Sequence, residues 1–384
     1  MKKNKLIMLG VIAFCSVLIA VVMAIAFNQP EDTTKPHIHS LGEAKTYHIT
    51  NNGVYYTLAC KHDDYSERFE TSILLDDVLV IADANDKIVL EEDIALDHII
   101  TVDSFVNVDG FPEGREVNIN LDLNNHSLTT SLTGEQTQSI SSVFVLNASY
   151  GTINFNISNG KIYTDELLYT FNFVNNKMSG QNINVHINNV ECKVMGNNVT
   201  PLYAHKNSTN IKLTAIDSEF IAEKPSTATI NTGVGVFINS DSEFNFNNCK
   251  FVGGDAISVK RGIVNLNNCE LISKEHVWIA NSEIATDSFN TMGVCLLTDS
   301  YHESVTAGYT KFVININNCS MTSLNSSKMI YVIQTATNGL EKGLNGESQI
   351  NVQSCRFNKK PSTEFSIVNY HSDPVNEDNV WIVR

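Results

Sequence analysis

The stretch VNLNNCEL, Val264 to Leu271, recurs with small changes along a chain of 384 residues. FNFNNCKF precedes it at Phe244–Phe251; ININNCSM and INVQSCRF follow at Ile314–Met321 and Ile350–Phe357. Looser copies are LDLNNHSL (Leu121–Leu128), FNISNGKI (Phe155–Ile162), VHINNVEC (Val185–Cys192) and LTAIDSEF (Leu213–Phe220). With the Cys269 position as reference, the residues five before, three before and two after it are apolar in all eight copies. A straight strand would carry the inward set on to −1 and +1. Here the reference and +2 positions take that role, so the chain bends at Asn267-Asn268 and its counterparts. Asparagine tolerates the left-handed backbone of a sharp bend and hydrogen-bonds its own main chain there.

Most copies follow a second apolar segment, such as VFVLN (Val143–Asn147), PLYAH (Pro201–His205), GVFIN (Gly235–Asn239), AISVK (Ala256–Lys260), VCLLT (Val294–Thr298) and MIYVI (Met329–Ile333). The unit is therefore strand, variable loop, strand, asparagine corner, short strand. Reference positions lie between 20 residues apart (Cys249 to Cys269) and 50 (Cys269 to Cys319), so loops near 274–291 and 300–310 project from a constant frame. Constant strands with elastic spacers describe a solenoid. A sandwich does not hold three apolar columns in register through eight copies.

These columns, with the opening series KIVLEEDIAL, IITVDSFVN and VNINLDLNNHSLTT, resemble the right-handed parallel β-helix of the pectate-lyase-like superfamily, in its bacterial cell-surface form. The resemblance runs from about Lys87 to Arg384. It implies an all-β, single-stranded right-handed parallel β-helix over 85–384. Ahead of it, Tyr47–Ala84 reads as an N-terminal cap. HITNNGVYYTLAC forms a hairpin about Asn-Asn-Gly, and Ser66–Ala82 is open between a helix and a strand pair. Such a cap covers the core and unpaired strands that a solenoid end exposes.

The N-terminus carries a charge-free apolar run, Leu6–Phe27, after Lys2, Lys3 and Lys5. That length spans about 30 Å of hydrocarbon as a helix, and the lysines place residues 1–5 in the cytoplasm. The expectation is a transmembrane signal-anchor at 6–27, a stalk at 28–46, and an extracellular C-terminal domain on the bacterial cell membrane. The alternative is secretion after cleavage near Ala24-Ile25-Ala26. A net charge of −16 argues against nucleic acid as a partner. The seven cysteines after Phe27 are odd in number and lack CxxC or Cys/His spacing, which fits neither a disulfide scaffold nor zinc. Those in the repeat read as an internal stack of free thiols behaving as small hydrophobes.

Aligning strand ends brings His205-Lys206, Asn239-Ser240-Asp241, Lys260-Arg261 and Thr298-Asp299 to one edge on successive coils, with Tyr301-His302-Glu303 next in the inserted loop. In polysaccharide lyases of the resembled fold, acidic residues hold calcium and an Arg or Lys removes a proton beside a uronate carboxylate. On that pattern Arg261, with Lys260, is the candidate base. Asp241, Asp299 and Glu303 are the candidate calcium ligands. His205, Lys206, Lys260, Arg261, Tyr301 and His302 are the candidate substrate contacts. The segment VGGDAISVKRG (Val252–Gly262) is the nearest approach to a polygalacturonase-type motif. It holds Asp255 alone, and hydrolysis of that kind needs two carboxylates. The expected function is a monomeric, membrane-anchored surface protein binding an extracellular polysaccharide or cell-surface glycan. The alternatives are a polysaccharide lyase or glycoside hydrolase acting on uronate polymers, and a structural spacer.

Overall fold

A computed structural model describes residues 40–108, 111–130, 142–165, 167–174, 181–206, 208–229, 231–275, 293–304, 308–309, 311–324, 329–335, 348–358, 365–369 and 381–383. The proposed anchor at 6–27 and its flanks 1–5 and 28–39 lie outside the described residues. Among those described, no helix is long and apolar enough to cross a membrane. The chain clusters into a small unit that includes residues 40–42 and 59–67, and a large one of Glu43–Leu58 and Arg68–Arg384. In the small unit the Lys61 N–H donates to the Ser40 carbonyl and the Cys60 N–H to the Tyr65 carbonyl.

The large unit is an all-β solenoid of three strand columns, here called sheets A, B and C. Sheet A begins at Ile100–Asp103 and Ser142–Asn147 and continues through Tyr169–Val174 and Thr200–Ala204 to Ile330–Thr335 and Phe365–Asn369, each paired in parallel with its neighbour. Sheet B runs from Lys87–Leu90 through Glu116–Asp122, Ile211–Ile216 and Phe312–Asn317 to Trp381–Val383. Sheet C runs from Ile94–Leu96 through Glu219–Glu223 and Glu270–Ser273 to Arg356–Phe357. The long strands Thr152–Asp165 and Asn182–Met195 turn from sheet B into sheet C, whereas Val234–Asn247 and Asp255–Asn267 turn from A into B.

The asparagine corner takes the expected form. The residue just before each reference position has positive φ in all eight copies: Asn125, Asn159, Asn189, Asp217, Asn248, Asn268, Asn318 and Ser354. At the reference position Cys249, Cys269 and Cys319 are buried free thiols. Their S–H groups donate to the carbonyls of Asn247, Asn267 and Asn317 at 3.2–3.4 Å, as the Ser218 hydroxyl does to Ile216 at 2.7 Å. A small side chain that can also satisfy the corner carbonyl explains why cysteine and serine share this column.

The first corner is longer than the repeat suggests. Leu121 pairs with Ile157, so it belongs to the −3 column, and Leu123 and Asn124 are inserted into the bend. Leu123 is still completely buried and fills the space beneath the next coil. A Cβ on Gly160 would lie 2.5 Å from the Leu123 Cβ, which accounts for glycine at that reference position.

At the N-terminal end, Leu41–Thr50 and Gly53–Cys60 form the expected hairpin about Asn51-Asn52. Its first strand begins inside the stretch read as stalk. It also joins the stack in parallel, Tyr47 opposite Ile88 and Ile49 opposite Leu90. Ser66–Ala82 becomes a strand, Ser66–Glu70, followed by a helix, Leu75–Ile81. Asp76 and Asp77 favour the helix N-terminus. Leu75, Val78 and Leu79 share the buried face.

The corner makes a direct prediction. Asn268→Val is expected to cost about 1–2 kcal/mol for a left-handed β-branched residue, besides losing the 2.7 Å bond from Asn318 Nδ2 to Asn268 Oδ1. Asn268→Gly keeps the backbone free and should lose less. Equal losses in thermal unfolding followed by circular dichroism would show that the left-handed backbone is not what asparagine supplies.

Candidate functional site

The bend from sheet A to sheet B is irregular where the expected edge residues lie. The pairing shifts between Ile238 and Asn239 and again before Glu243, so Asn239 faces Arg261 and Lys260 has no counterpart in the register. Two consecutive basic residues are thereby both buried, Lys260 at 6% exposure and Arg261 at 3%. Arg261 Nε donates to Asn239 Oδ1 at 2.9 Å, and its Nη1 lies 3.5 Å from Asp241 Oδ2. Lys260 Nζ sits 5.6 Å from the Phe237 ring centroid. Phe237 in turn stacks on Tyr203, whose ring lies 5.9 Å from His205.

The structure thus brings Asp241 to Arg261, and places Lys260 and His205 beside one aromatic stack on the outer side of sheet A. Lys206 is half-buried just beyond Ala204. Asp299, Tyr301, His302 and Glu303 belong to the strand Leu296–Ser304, and their side chains lie outside the described residues. No group of three or more potential metal ligands occurs among the described residues. Asp255 is completely buried, with Oδ1 accepting the Val294 N–H at 2.9 Å, which fixes the turn into sheet A. Burial pushes the Cys295 thiol up to about 12, and the hydrogen bond to Cys249 holds Cys269 at about 12. These protonated thiols are not nucleophiles.

Beside Asp241 the irregular bend opens a groove of 540 Å³. Its floor is one outward row of sheet B: Asn184, Lys212, Glu243, Ile263 and Val313. These residues are register partners on five successive coils. At about 4.8 Å per coil the row extends roughly 19 Å along the solenoid axis. Asp241, Ser242, Gly262 and Lys311 form the opposite wall. Gly262 is required there: its φ is +98°, and a Cβ would lie 2.3 Å from the Ser240 carbonyl oxygen. The lining mixes carboxylate, ammonium and amide groups with Ile263, which is 44% exposed.

Of the expected site residues whose side chains are described, Asp241 alone lines the groove. Lys212, Glu243 and Lys311 were not anticipated. The signal for Lys212 and Glu243 was available, since both stand one residue before the −5 column and must point outward. The bulge that builds the opposite wall had no comparable signal.

No family model matches the chain, and no curated protein matches it in sequence. Among solved structures, one described as L. reuters 100-23 SRRP is similar at 10% identity with a TM-score of 0.31. The similarity covers 80% of this chain and 95% of that one.

Proposed function

We propose that the protein is a cell-surface binding module that holds an extended glycan in the groove beside Asp241. The observation that carries this reading is the groove's direction. A row of equivalent positions on five coils lies along the axis, which suits a polymer whose groups recur and not a compact metabolite. The lining of amides, charges and one exposed isoleucine offers both hydrogen bonds and an apolar contact. Within this proposal the fold is a right-handed parallel β-helix of the pectate-lyase-like kind. The run 6–27 tethers it to the membrane with the solenoid outside.

Retention of the full chain on an array of polysaccharides tests the reading. Ile263→Arg lays a long cation across the groove from an exposed position and is expected to weaken retention about tenfold or more, with thermal unfolding unchanged. Undiminished retention would remove the groove from the proposal. Incubation with a polyuronate, followed by ultraviolet absorbance of unsaturated product, reads turnover in the same sample. Product formation abolished by Arg261→Ala would replace binding by lyase chemistry.

A further inference from the structure

Below the groove, sheet B presents two outward rows that the expected site did not include. Asn245, Asn265, Asn315 and Asn351 are stacked on four successive coils. Asn247, Asn267, Asn317 and Gln353 form the row beside them. In the first row each Nδ2 donates to the Oδ1 of the coil before, at 2.7 Å in all three steps. Asn245 Nδ2 donates onward to Glu243 Oε1 at 3.0 Å. The amide dipoles therefore align, with the carboxylate at the N–H end, and each bond strengthens the next. An asparagine amide has two donors and two acceptor lone pairs. The ladder uses one of each in its middle members, so Asn265 and Asn315 keep one N–H and one lone pair for an outside partner. All four residues are half-exposed.

We infer that these rows are the contact face for the proposed glycan and that the glycan is an uncharged, hydroxyl-rich polysaccharide. This rests on the binding reading above and narrows it. Three observations lead there. The two rows contain no charged residue over four coils, on a chain with 42 acidic and 26 basic residues. A polyanion would meet no cation in them and would be repelled by the net charge of −16. The amides are both donors and acceptors, as hydroxyls are, and the ladder holds them in place before any ligand arrives, which lowers the ordering cost of binding. Finally, the rows are continuous with the groove. Ile263 and Val313 in its floor stand two residues before Asn265 and Asn315 on the same outward face, giving an apolar edge beside the amides.

The test is binding of the full chain to a soluble neutral glucan, a neutral mannan, a neutral galactan and polygalacturonate, each at low and high salt. The expected result is retention of at least one neutral polymer with little salt dependence. It should weaken about tenfold or more in Asn265→Asp/Asn315→Asp, which sets two carboxylates in the row. That pair disturbs the ladder, so Asn317→Arg serves as the second variant. Asn317 is exposed, and its substitution blocks the face without breaking a ladder bond. Retention of polygalacturonate alone, lost at high salt, overturns the neutral-ligand inference and leaves the binding reading standing. Neutral binding unaffected by Asn317→Arg in a folded protein overturns the assignment to this face. Concentration-dependent self-association abolished by Asn317→Arg assigns the face to a second copy and overturns the inference. Binding of no polymer by folded protein removes both proposals.

Discussion

Phe246→Ala should destabilise the solenoid by about 3–5 kcal/mol, the range for deleting a buried aromatic ring. Phe246 is completely buried in sheet B, edge-on to Phe220 and Phe251 at centroid distances of 5.8 and 5.1 Å. The residue one coil earlier in the same column is Ala215. Phe246 therefore fills space that a larger neighbour would otherwise share, and two stacked alanines would leave a cavity that Ala215 is too small to close. The solenoid geometry adds a second expectation. Each coil packs mainly on the coils next to it, so a void at one level weakens the coupling between the coils on either side. Urea unfolding followed by circular dichroism should then show a lower midpoint and a broader or split transition, since cooperativity in a stacked array depends on each interface. Phe246→Leu restores most of the volume and should recover much of the loss. A wild-type midpoint for Phe246→Ala would mean that the column is not a continuous core.

The same column explains how much was legible from the residues alone. Apolar spacing names the inward positions directly, and Leu266, Ile316 and Ile187 are all buried as their place in the repeat demands. The left-handed corner was legible because few residue types accept that backbone, and an asparagine pair repeated with the same flanks leaves little else to explain. The first corner was misaligned because Leu121 and Leu123 are both apolar, so the pattern cannot reveal that the bend itself has lengthened. Only the pairing of Leu121 with Ile157 shows it.

The site was harder to read for a different reason. Alternation predicts one of Lys260 and Arg261 inside and the other outside, whereas the register shift buries both. A bulge is a property of two neighbouring coils and has no signature in either one. The groove inherits that difficulty, since one wall follows the regular period and the other follows the bulge. The amide rows suffer from the reverse problem. Their asparagines are conspicuous, but in a chain rich in asparagine the outward rows look like the same habit that makes the corners. The backbone separates the two roles: the corner asparagines have positive φ, whereas Asn245, Asn265, Asn315 and Asn351 lie within strands.

Gly262→Ala joins the two halves of the problem, because it acts on the backbone and is read at the site. At φ +98° any side chain is strained, and the added Cβ would approach two carbonyl oxygens, Ser240 at 2.3 Å and Ser242 at 2.9 Å. These are main-chain atoms, so a side-chain rotation does not relieve the contact. The strain alone is worth about 1–3 kcal/mol, and the bend must also move. The Gly262 N–H donates to the Lys311 carbonyl at 2.9 Å, so a shift here pulls on the groove wall that holds Lys311 and Asp241. Glycan retention should fall together with stability. Gly53→Ala is the control: its φ is +136°, nothing stands within 4 Å of the added Cβ, and it lies in the hairpin away from the groove. That variant should lose stability through strain and keep its retention. Parallel loss of retention in both variants would show that binding follows global stability, and that the bend at Gly262 has no special part in shaping the site.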